Sequence, residues 1–150
     1  MEAADFARIE TSLSIELPDA YRLFMSSYPS EADEDIRSHA LFSDSDLIVA
    51  ENLEHRKEGW FGIKWPDEYF VIGDDGCGDT YFMVLGKDEK VYFADHEAGP
   101  HPTENLEECV SSDSLQEYMA EALELAREVE EEFRQREERR LNKKWWEIWK

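Results

Sequence analysis

The chain has 150 residues and carries 37 acidic against 16 basic side chains, a formal net charge of -21, with 41% hydrophobic and 13% aromatic residues. That hydrophobic fraction excludes a disordered chain, and a domain of this size buries about 70% of the surface its unfolded form exposes. No apolar run approaches the roughly 20 residues a bilayer-spanning helix needs, and the negative field opposes nucleic acid and anionic membranes while attracting basic proteins.

In chain order, the opening MEAADFARIE lacks the basic and apolar regions of a signal peptide, so a cytoplasmic location is expected. Phe6, Ile9 and Leu13 recur at three and four residues, the spacing of one helical face. Pro18 suits the first turn of a second helix bearing Tyr21, Phe24 and Met25, because proline lacks the amide donor that a first turn leaves unpaired. Three short runs follow, Tyr69 to Ile72, Tyr81 to Leu85 and Val91 to Ala94, rich in β-branched and aromatic residues. They are separated by Gly73 to Asp79 and Gly86 to Lys90, whose glycines and short polar side chains make turns. The spacing predicts a β-meander of antiparallel strands. Cys77 sits between two glycines of the first turn, and neither it nor Cys109 belongs to a CxxC pair; both are expected as free thiols.

The last element is the longest. Ser112, Asp113 or Ser114 can cap a helix whose stripe runs through Leu115, Tyr118, Met119, Ala122, Ala126, Val129 and Phe133. Arg134 to Arg140 has no apolar residue, but Glu130 with Arg134 and Glu132 with Arg136 are i,i+4 pairs that each favour helix by about 0.2–0.5 kcal/mol. Leu141, Trp145, Ile148 and Trp149 then restore a stripe, with Trp146 just off it. Docking of this end onto the same chain or a second subunit is expected, ahead of a partner protein or a membrane surface. The acidity belongs to residues 1–112; residues 113–150 are nearly balanced.

The glycine-aspartate wording of Gly73 to Asp79 and the strand Val91-Tyr92-Phe93-x-Asp95-His96-Glu97 together resemble the SUKH superfamily. So do Leu17, Pro18, Tyr21, Arg22 and Phe24 near the start, the segment Phe42 to Asn52, and Val110 to Tyr118. One departure is Tyr28-Pro29-Ser30, where many relatives have paired glycines. The resemblance implies an α+β domain over residues 1–123, with helices packed on a mostly antiparallel sheet, and a C-terminal helical extension over 124–150. It implies an immunity protein that binds and neutralises a cognate bacterial toxin, a nuclease or other basic toxin domain, by stoichiometric, electrostatically steered binding. A regulatory protein-protein interaction module is the alternative.

Aromatic residues beside acids suit the contact surface of such a binder. Trp60, Phe61, Trp65 and Tyr69, flanked by Glu58, Asp67 and Glu68, offer that mixture; Asp74, Asp75, Asp79 and Glu97 complete the expected partner-binding set. No nucleic acid, membrane or cofactor is expected, and a homodimer through the C-terminal helix is considered. Metal-dependent catalysis by Asp74, Asp75, Asp79, Asp95, His96 and Glu97 ranks lower. The turn does not match the calcium loop D-x-[DN]-x-[DN]-G, His96 and His101 lack i,i+4 spacing, and Gly73-x-x-Gly76-x-Gly78 leads into a strand where a phosphate loop would lead into a helix.

Overall fold

The computed structural model describes residues 1–97, 99 and 101–148, with side chains through residue 141. Helices α1 (Ala3–Leu13) and α2 (Asp19–Ser26) are followed by a π-helical turn (Ile36–Ala40) and by α3 (Ser45–Glu58). Strands β1 (Tyr69–Asp74), β2 (Thr80–Val84) and β3 (Val91–Ala94) come next, then a 3-10 turn (Leu106–Cys109), β4 (Val110–Ser112) and α4 (Leu115–Ile148). The four strands lie in sequence order and pair antiparallel throughout. The α+β class and the meander are as expected; β4 was not anticipated, since Val-Ser-Ser is short and polar and becomes a strand by pairing with β3.

Local chemistry sets the helix ends. The Asp44 carboxylate accepts from the Asp46 and Leu47 amides (2.8 and 3.0 Å), a cap that is worth about 1 kcal/mol. Gly59, with φ 78°, ends α3. Pro18 precedes α2 as its cap residue, one position earlier than the first turn. At α4, Ser114 Oγ accepts from the Glu117 amide (3.2 Å), an N-cap bond, and the Glu117 carboxylate accepts from the Asp113 amide just before it (2.8 Å).

Alternation along the strands gives the sheet two apolar faces. On one, Tyr69, Phe82 and Tyr92 stack in a row, ring centroids 4.7 and 5.5 Å apart, with Trp65 edge-on against Tyr69 and Phe82. On the other, Phe70 meets Tyr21 of α2 at 5.2 Å, and Tyr81 meets Tyr118 of α4 at 4.9 Å. Phe6, Ile9 and Leu13 of α1 are buried as the spacing predicts, as are Tyr21 and Met25 of α2. Cys109 is buried and Cys77 exposed, and among the described residues the two form no disulfide.

The outer edge of β1 is closed by a side chain. Asn52 of α3, wholly buried, donates to the Val71 carbonyl (2.8 Å) and accepts from the Val71 amide (2.8 Å), while the Phe42 amide takes the Ile72 carbonyl (2.8 Å). An edge strand thus has no free template for a stray chain. Ile72 is the extra residue of a bulge between Val71 and Gly73. Beyond it the π-helical turn presses onto Gly73 so closely that a Cβ there would lie 2.1 Å from the Ala40 carbonyl oxygen.

Beyond Ala126 the described part of α4 is solvent-exposed except for half-buried Glu137. Arg136 pairs with Glu132 (3.3 Å) as expected, but Arg134 pairs with Glu131, one turn-step nearer than Glu130. The side chains of Trp145, Trp146, Ile148 and Trp149 lie outside the described residues, so the expected docking of that end is not placed. No helix among the described residues is long and apolar enough to cross a membrane.

Candidate functional site

Where β1 ends, the bulge, the π-helical turn and the C-terminal half of α3 converge on the first meander turn. They enclose an open cleft of about 410 Å3, lined by Glu51, Glu54 and His55 of α3, His39, Trp60 and Phe61, and by Asp74, Asp79 and Thr80. Its lining combines four carboxylates with two aromatic residues.

The turn is built by its own aspartates. Asp74 Oδ1 accepts from the Gly76 amide (2.7 Å) and the His39 Nδ1 (2.6 Å); Asp75 Oδ1 accepts from the Cys77 and Asp79 amides (2.8 and 3.0 Å). Asp79 Oδ1 accepts from both the His96 amide (2.9 Å) and the His96 ring (2.6 Å). These are the jobs for which short carboxylates suit turns. The bonds to Asp74 and Asp79 raise the pKa of His39 and of His96 respectively.

Deeper in, the shifts run the other way. Burial lowers the pKa of His55, whose ring contacts the Glu51 carbonyl (2.9 Å) and Thr80 Oγ1 (3.2 Å). Burial also raises the Glu51 carboxyl, and neighbouring Glu54 and Asp74 add repulsion in the same direction. Like-charged carboxylates held together at a cleft destabilise one another until a cation arrives.

Phe61 stands on the rim. Trp60 and Ile63 exchange both backbone hydrogen bonds (2.9 Å each), closing a two-residue turn in which Phe61 and Gly62 have φ of 45° and 84°. Both central residues of such a turn need positive φ, which favours Asn, Asp and Gly; a bulky aromatic there is a strained choice. Phe61 is nevertheless 61% exposed, stacked on His96 with centroids 4.3 Å apart. Trp60 is its opposite: 5% exposed, with its indole N–H donating to the Gly78 carbonyl (3.1 Å). An exposed ring over an anionic cleft suits a cationic side chain, which gains from both carboxylates and π-face.

Of the expected set, Asp74, Asp79 and Trp60 line the cleft, with Trp60 a buried wall offering little direct surface. Asp75 is exposed in the turn, and Glu97 is exposed just after β3, 3.8 Å from the His96 ring. Glu58 is exposed at the end of α3 and pairs with Lys57. Asp67 and Glu68 precede β1, about 17 Å from its far end at the rise of an extended strand, and so lie away from the cleft. Trp65 and Tyr69 are core residues, 1% and 6% exposed. Four titratable lining residues were not anticipated: His39, Glu51, Glu54 and His55. The last three stand at helical spacing on one face of α3, a signal visible in the sequence; His39 depends on the π-helical turn, which has none.

One group among the described residues, Asp79, Asp95 and His96, brings potential metal-ligand atoms within 4.8 Å of one another. In it the Asp79 oxygen already holds the His96 ring and amide. That arrangement positions the turn against β3.

Searches of the curated proteins and of the solved structures found no match. A family model does match, over residues 2–121, and the chain belongs to the SMI1/KNR4 family (SUKH-1).

Proposed function

We propose that this SUKH-1 chain is an immunity protein that binds and neutralises a cognate bacterial toxin, one-to-one, in the cytoplasm of the cell that makes both. Family membership supports a protein-protein interaction role. The observation that carries the reading further is the anionic cleft of Glu51, Glu54, Asp74 and Asp79 with a strained, exposed Phe61 at its rim. A nuclease or other basic toxin needs cationic side chains for its substrate, and this cleft receives such side chains. The net charge of -21 accelerates the encounter at low ionic strength.

The test is co-expression with the toxin domain encoded beside this gene, scoring survival and co-purification. Rescue with a salt-sensitive one-to-one complex is the expected result. Glu54→Lys and Phe61→Asn are expected to weaken that complex at least about tenfold, with Phe61→Asn staying folded because asparagine accepts positive φ. No rescue and no complex, with the toxin shown to be active, refutes the immunity role for that pair and favours a regulatory interaction module. Binding that both variants leave intact refutes the cleft as the contact surface.

A further inference from the structure

A second concave surface, of about 620 Å3, lies where α4 leaves the body. One wall is the apolar face of α4, with Leu125, Val129 and Phe133 exposed by 62%, 61% and 66%. The other is the segment around the π-helical turn, with Asp33 and Asp35, and the rim of α4 adds Glu121 and Glu130. The groove is apolar at its base and anionic along both edges. Solvated helices do not ordinarily display three large apolar side chains at i, i+4 and i+8.

The complement of this surface is on the same chain. At 3.6 residues per turn, the face that carries Leu115, Ala122, Val129 and Phe133 carries Arg136 and Arg140 next. Those arginines are exposed and held only by surface pairs along their own helix, Arg136 with Glu132 and Arg140 with Glu137 (3.3 and 3.5 Å). Such pairs contribute little and are readily exchanged. A single helix, Leu115–Ile148, spans both the acidic, apolar half and the basic half, so its tip cannot turn back into its own groove.

We propose that the groove holds the distal half of α4 from a second copy of this chain, in an antiparallel and reciprocal dimer. Val129 and Phe133 of each copy pack against Phe133 and Val129 of the other. The stems of Arg136 and Arg140 then lie over Ala126 and Ala122, and their guanidinium groups reach the carboxylates of the groove edges. A parallel pairing would set arginine against arginine and groove acid against groove acid. The self-association is separate from toxin binding: the groove takes Ile36 and Ala40 of the π-helical turn, the cleft takes His39.

Sedimentation velocity on the full chain tests this. A dimer is expected at about 100 µM, with dissociation at lower concentration, and with weakening between about 0.15 M and about 1 M salt, where exposed ion pairs are screened. The double change Val129→Glu and Phe133→Glu is expected to give a monomer with an unaltered thermal transition of the body, because both sites are exposed. A charge exchange gives a second arm. Variant one carries Arg136→Glu and Arg140→Glu; variant two carries Asp33→Lys and Asp35→Lys. Each is expected to be monomeric alone and to form a one-to-one heterodimer when mixed. A wild-type chain monomeric at about 100 µM overturns the proposal and leaves the groove to another protein. A dimer indifferent to the double glutamate change, or a mixture that fails to associate, also overturns it.

Discussion

Asn52→Leu isolates the contribution of one side chain to the sheet edge. Asn52 makes three hydrogen bonds, but that to the Ile48 carbonyl duplicates a partner the helix already supplies, so the two to Val71 decide the outcome. Leucine leaves the Val71 amide and carbonyl, at a residue 1% exposed, without partners. Each unsatisfied buried group costs about 1–3 kcal/mol, and the added apolar burial offsets roughly 1 kcal/mol. The net loss is about 1–5 kcal/mol, which lowers Tm by roughly 2–20 °C for a chain of this length. Urea unfolding should show a lower midpoint with an unchanged slope, since the exposed area on unfolding is the same. Asn52→Asp sharpens the test. It keeps the acceptor for the Val71 amide but sets a buried carboxylate against the Val71 carbonyl, so burial raises its folded pKa. The sign follows: part of the lost stability returns as pH falls and the protonated group donates, relative to wild type, whereas Asn52→Leu shows no such recovery. A leucine variant within about 1 kcal/mol of wild type would refute the argument that Asn52 substitutes for a neighbouring strand.

Gly73→Ala forces a Cβ to within 2.1 Å of the Ala40 carbonyl oxygen, backbone that a rotamer cannot move aside, and should destabilise by about 1–3 kcal/mol or more in a thermal melt; an unchanged Tm would show that the π-helical turn is free to lift. By NMR, His39 and His96 should titrate above the usual value of about 6.5 and His55 below it. Raised pKa values stabilise the fold at pH below the unfolded value and lose that contribution as pH climbs through the folded one. The stability difference between wild type and a His39→Gln, His96→Gln variant should therefore shrink from pH 6 towards pH 9, and a difference that grows would contradict the two carboxylate bonds. Glu51→Gln removes a charge that burial and its neighbours oppose, so it should raise stability by a fraction of 1 kcal/mol while slowing association with a basic partner; calorimetry and stopped-flow binding read the two effects separately.

How far these features were legible follows from what sets each of them. Strands of four to six residues rich in Tyr, Phe and Val, bounded by glycine and aspartate, carry their own periodicity, and Val91 to Ala94 coincides with β3. Ser114 and Glu117 likewise announce the start of α4 through local chemistry. β4 has no such signature, because three residues become a strand only when β3 offers its edge. The π-helical turn depends on a backbone approach to Gly73 that spans more than thirty positions, and only the folded chain brings His39 to Asp74. The pattern of aromatics beside acids cannot separate Trp60, which closes the cleft wall, from its neighbour Phe61. The difference lies in a two-residue turn that inverts the direction of successive side chains.

The cleft and the sheet edge use polar groups in opposite ways, and the contrast argues for where binding occurs. At the edge, Asn52 matches a donor and an acceptor to Val71 and leaves nothing over. In the cleft, Glu51 is kept near Glu54 and Asp74, whose charges add to burial in raising its carboxyl pKa, and Phe61 is kept in a backbone region that asparagine or glycine would occupy with less strain. Neither the opposed Glu51 charge nor the positive φ of Phe61 helps the isolated domain fold. On the proposed reading both become favourable when a cationic side chain enters, since it neutralises the carboxylates and meets the ring together. The proposed contact surface is therefore the cleft, where burial and neighbouring charge oppose the Glu51 carboxylate and an exposed aromatic residue holds a positive φ.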